Sequence, residues 1–82
     1  MTEQEIRDYI KKENRKVELM ARDMSQIIMW DGPNPNKKGV CDFCTEIYEF
    51  PLEVVEAIYD ELYDLHKGLW KYIAEKIRED AK

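Results

Sequence analysis

The chain has 82 residues, 44% of them hydrophobic and 38% charged, with three glycines, three prolines and a net charge of −5. That length and balance fit one small folded domain and exclude a disordered, collagen-like or disulfide-dense chain. No apolar run approaches the roughly 18 residues that a membrane span needs, and Met1-Thr2-Glu3-Gln4-Glu5 lacks the pattern of a signal peptide, so a cytoplasmic protein is expected.

The first element opens at Thr2. Thr2-Glu3-Gln4-Glu5 has the form of a capping box, in which the threonine hydroxyl and the glutamate three residues on each satisfy an early backbone amide. Ile6, Tyr9, Ile10, Val17, Met20, Met24, Ile27 and Ile28 then recur on one helical stripe. This predicts a helix from about residue 2 to about 29. Glu13 falls inside that stripe within the wholly polar run Lys11–Lys16, so a break near Asn14 is the other reading of the same stretch. Met20, Met24, Met29 and Trp30 form a methionine-rich end, read as core filling with an adaptable binding surface as the alternative. Asp31-Gly32-Pro33 stops the helix.

Residues 30 to 50 read as a connector. Asp31 to Gly39 has two prolines, two glycines and two asparagines in nine residues, the composition of an exposed loop. Thr45 to Phe50 alternates polar and apolar residues imperfectly, a pattern that also suits a short strand. The second long helix is predicted from Pro51, which fits a first helical position, to about residue 80. Its stripe is Leu52, Val55, Ile58, Leu62, Leu65, Leu69, Ile73 and Ile77, with Gly68 inside it, where the missing side chain would let another helix approach closely. The expected fold is therefore all-α: an antiparallel hairpin of two long helices with an irregular connector that suits a short β segment. A hairpin alone leaves apolar surface open. Either the connector folds back as a lid, or two chains pair as a homodimer into a four-helix bundle.

Two constellations carry candidate chemistry. Cys41-Asp42-Phe43-Cys44 has the spacing of half a structural zinc site. The remaining ligands would have to come from His66, the only histidine, together with a carboxylate, or from a second chain. The competing readings are two reduced thiols, at least one of them buried as a small hydrophobe, and a disulfide or redox pair.

The second constellation is charge. Residues 1 to 38 carry +1, residues 39 to 66 carry −8 without a single Lys or Arg, and residues 67 to 82 carry +2. Glu49, Glu53, Glu56, Asp60 and Asp64 step by four, three, four and four, which places them on one ridge of a helix extended back to Glu49. A solvated helix face usually mixes signs, and like charges at this spacing cost stability. The ridge is read as a docking surface for a basic protein surface, with imitation of a nucleic-acid backbone as its sharpest form. Tyr59, Tyr63 and Trp70, between the ridge and the apolar stripe, are read either as the rim of the chain's own core or as apolar anchors for a partner.

No Gly-rich phosphate loop and no nucleophile–base pair stand out along the chain, so no enzyme is expected. The acidic block disfavours direct nucleic-acid binding. The reading is thus a non-catalytic acidic interaction module, an inhibitor or regulator, with a zinc-organised adaptor built on Cys41 and Cys44 as the alternative.

Overall fold

The computed structural model describes residues 1–32 and 36–80, and these form four α-helices and no strand: α1 Glu3–Lys12, α2 Asn14–Asp31, α3 Lys37–Tyr48 and α4 Leu52–Asp80. Thr2 caps α1 as its sequence implies. The Glu5 amide donates to the Thr2 hydroxyl at 3.2 Å, and the Thr2 amide donates to the Glu5 carboxylate at 3.1 Å.

The expected helix from 2 to 29 is two helices. Glu13 leaves helical geometry (φ −102°, ψ 32°) although its amide still donates to the Tyr9 carbonyl and its carbonyl still accepts from Val17. The physical reason lies in Lys11–Lys16. Six polar residues in a row give the core nothing to hold, so the direction of the chain there is set by the apolar residues on either side. Ile6, Tyr9 and Ile10 rest half-buried against the core, while Val17, Met20, Met24 and Ile28 of α2 are buried in it.

Gly32 ends α2 at φ +79°, ψ −154°, a region that a side chain rarely adopts; its amide donates to the carbonyls of Ile28 and Met29. The Pro33-Asn34-Pro35 part of the expected loop lies outside the described residues. The rest of the connector overturns the irregular, partly β expectation. Asn36 caps a three-turn helix by accepting from the Gly39 amide at 3.2 Å. Val40, Cys41 and Cys44 fall at helical spacing on one face and are all buried. The alternation at Thr45–Phe50 is therefore the last turn of a helix and its exit. Glu49 closes α3 in the left-handed conformation (φ 57°, ψ 35°) with its amide on the Thr45 carbonyl.

The core joins Met20, Met24 and Ile28 of α2, Cys41 and Cys44 of α3, and Val54 and Val55 of α4, all fully buried. Phe50, between α3 and α4, pins the helix ends. Its ring meets Tyr9 edge-on at 5.5 Å and stacks on Tyr48 at 6.2 Å, with the Lys16 ammonium 5.9 Å above it. Aromatic pairs of this kind contribute about 0.5–1.5 kcal/mol beyond their buried area.

Helix directions follow from these contacts. Lys37 at the start of α3 reaches Asp60, while Tyr48 at its end lies by Phe50, so α3 runs back along α4. Lys16 lies by Phe50 and Ser25 by His66, so α2 runs in the same general sense as α4. The antiparallel neighbour of each long helix is α3, in place of the simple two-helix hairpin expected.

The α4 stripe divides in two. Val55 and Ile58 are buried and Leu62 is half-buried, whereas Leu65, Leu69, Tyr72, Ile73 and Ile77 are exposed, Leu65 at 71%. A 29-residue helix is about 43 Å long, close to the 49 Å long axis of the molecule. The short helices cover only its first half. None of the described helices is long and apolar enough to cross a membrane.

Candidate interaction surface

The acidic residues divide between two helices. Glu49 is the α3 cap and lies outside the α4 ridge in which periodicity placed it. Glu53, Asp60 and Asp64 are exposed on α4 and Glu56 is half-buried beside them. Glu53 pairs with the N-terminal ammonium group. Asp60 accepts from Lys37 at 2.9 Å, which raises the lysine's pKa, and the same ammonium lies 5.8 Å above the Tyr59 ring. The ridge is therefore partly neutralised by a base of α3, brought from 23 residues away. Asp42, Glu46 and Glu61 are exposed as well, so seven of the eight acids between Cys41 and His66 face solvent.

The aromatic residues sit deeper than anchors would. Tyr59 is 3% exposed and belongs to the core, which removes it from the expected contact set. Tyr63 and Trp70 are half-buried. Tyr59 stacks on Tyr63 at 6.0 Å, Tyr63 meets Trp70 at 6.2 Å, and Trp70 stacks on His66 at 5.7 Å. The ladder meets α2 at His66, which reaches Ser25, and α3 at Tyr59, which lies beneath Lys37. Burial pushes the Tyr59 hydroxyl pKa up.

His66 is 9% exposed, and its Nε2 lies 2.7 Å from the Ser25 Oγ. One tautomer accepts from that hydroxyl and the other donates to it. The pair links α2 to α4 across 41 residues and satisfies a polar ring inside an apolar seam. It is the nucleophile–base contact that the sequence did not reveal, because nothing in local spacing marks Ser25. Among the described residues, no carboxylate hydrogen-bonds the other ring nitrogen to orient it.

Cys41 and Cys44 are free thiols, each 1% exposed. Burial pushes the Cys41 pKa up to about 11, with Glu56 adding to the rise, and burial raises Cys44 too. His66 is engaged by Ser25 and Trp70, and among the described residues no group of three or more His, Cys, Asp or Glu side chains is placed to hold a metal ion. Both thiols lie in the core, and within the single chain the described residues do not gather Cys41, Cys44 and His66 into one metal site.

Sequence reasoning also missed what lies on the far side of α3. Met20 and Met24 are core residues as expected, but Met29 and Trp30 are not: Trp30 is 91% exposed. Phe43 and Ile47, each about half exposed, line the outer face of α3. Between the two helices the Tyr48 hydroxyl donates to the Asp23 carboxylate, which raises the tyrosine's pKa. Comparison with family models, curated proteins and solved structures finds no match to this chain.

Proposed function

We propose that this chain is a non-catalytic acidic interaction module, an inhibitor or regulator that docks on a basic surface of a partner protein, such as a nucleic-acid-handling one. The observation behind the reading is the solvent exposure of seven acids from a 26-residue stretch that contains no Lys or Arg. Seven like charges spread over α3 and the first half of α4 cost folding energy through repulsion and raise the on-rate for a basic partner. Glu53, Asp60 and Asp64 carry the α4 part of this surface. Tyr63 and Trp70 contribute their exposed edges.

The test uses a partner recovered by co-purification at low salt, identified by mass spectrometry and then purified. Simultaneous Glu53→Lys, Asp60→Lys and Asp64→Lys substitution is expected to weaken its binding at least about tenfold with helicity by circular dichroism unchanged. The lost Asp60–Lys37 pair is exposed, so its removal costs at most about 1 kcal/mol of stability. Unchanged affinity in the triple variant ends the proposal.

A second reading concerns assembly. The open stripe of Leu65, Leu69, Tyr72, Ile73 and Ile77 supports a homodimer formed through the second half of α4. Each copy would then complete the apolar seam that the short helices leave uncovered.

A further inference from the structure

We infer that the outer groove between α2 and α3 is a docking site for a basic amphipathic helix of a partner protein. The inference rests on the interaction-module reading and names a surface for it. Two adjoining cavities of about 390 and 400 Å³ lie along this groove and share Ile27 and Phe43. Trp30 and Ile47 line the first, and Asp31 and Gly39 the second.

The groove has the form that helix recognition needs. Ile27 and Trp30 stand one turn apart on α2, and Phe43 and Ile47 one turn apart on α3. The antiparallel pair thus offers two ridges with a furrow between them, into which a third helix packs its own ridge. The neighbouring face of α3 is already taken: Val40, Cys41 and Cys44 are buried in the core, and Val40 and Cys44 form part of the groove's floor. Backbone groups inside helices are satisfied, and no strand edge exists among the described residues. Recognition here rests on side chains, which favours a helix laid in the groove over an added strand.

Charge selects the partner. Among the described residues, the charged ones lining the two cavities are Asp23 and Asp31, and no Lys or Arg lines either. Asp42 and Glu46, exposed beside Phe43 and Ile47, continue the acidic rim along α3. Arg22, 3.8 Å from Asp23, is the single cation paired to this rim among the described residues. An apolar floor between acidic rims fits a helix with an apolar stripe flanked by Lys or Arg. The exposed indole of Trp30 adds a face on which such a cation stacks. Trp is also among the residue types that most often dominate binding, and Trp30 stands at the open end of the first cavity.

The experiment titrates the isotopically labelled full chain with an 18-residue Leu/Lys amphipathic peptide and, in parallel, with a Leu/Glu peptide of the same apolar stripe, followed by NMR. The Leu/Lys peptide is expected to shift the signals of Ile27, Trp30, Phe43 and Ile47, and the Leu/Glu peptide to leave them in place. The double variant Trp30→Ala and Phe43→Ala, both at exposed positions, is expected to lose about tenfold or more in affinity at unchanged helicity. Equal binding of both peptides, or an unaffected double variant, overturns the inference. Shifts confined to Glu53, Asp60 and Asp64 overturn it while leaving the interaction-module reading standing. A response at neither surface overturns both. Groove shifts that grow with protein concentration in the absence of peptide assign the groove to a second copy of the chain and overturn the proposed partner.

Discussion

Cys41 illustrates how a side chain's chemistry follows from its surroundings. Cys-x-x-Cys spacing is a metal signature on a loop, but on α3 it places both thiols on one face of a helix, and that face is the core. The folded-state pKa of Cys41, about 11, lies above the ordinary thiol value of 9.0. The unfolded chain therefore loses its thiol proton first. The stability that the Cys41 thiol contributes is full below pH 9, is lost as pH rises from about 9 to about 11, and is gone above that. Cys44, Tyr48 and Tyr59 are shifted upward as well and act in the same direction. Urea midpoints measured across this range should fall with pH, and Cys41→Ala should flatten the fall. A thiol reagent at pH 8 should label the native chain slowly and the urea-unfolded chain fast. Rapid labelling of the native chain would contradict the burial of both cysteines.

Helix boundaries depend on a few backbone positions. Glu49 adopts a left-handed conformation without being glycine, which costs about 1 kcal/mol. Glu49→Gly is expected to raise stability by up to about that amount. Gly68 is the reverse case. It lies within α4, and a Cβ placed there meets nothing within 4 Å. Gly68→Ala is expected to stabilise by about 0.5–1 kcal/mol through helix propensity. Both are measured by chemical denaturation. In sequence, Gly68 suggests a place where another helix approaches closely, yet within this chain nothing does. A loss of stability in Gly68→Ala that grows with protein concentration would place a second chain there.

For the molecule as a whole, the governing fact is that three short helices cannot cover one long one. α1, α2 and α3 close around the first half of α4, and the stripe beyond Leu62 stays open. Homodimerisation through that stripe predicts a concentration-dependent sedimentation coefficient. Joint Leu69→Glu and Ile73→Glu substitution should return the chain to monomer with its fold intact, because both residues are exposed in the single chain. A wild-type chain that remains monomeric at high micromolar concentration would rule this assembly out.

What the sequence determined by itself is local: the Thr2–Glu5 cap, the stop at Gly32, the start of α4 after Pro51, the all-helical character of both long stripes, and the acidic block. Each depends on residues within a turn or two of one another, where backbone geometry and propensity decide. α3 escaped that reading because its apolar face is short and made of Val40, Cys41 and Cys44 in a Pro/Gly/Asn context, so its helical period is weak beside the loop signals. Tertiary structure alone decided which apolar residues are core. Ile58 is buried and Leu65 is exposed although both lie on the predicted apolar stripe of α4. Periodicity states which residues share a face. Whether that face is covered depends on how far the neighbouring helices reach, and the same limit hid the Ser25–His66 pair and the Lys37–Asp60 bridge. Their partners stand 41 and 23 residues apart, joined only when α2 and α3 pack against α4.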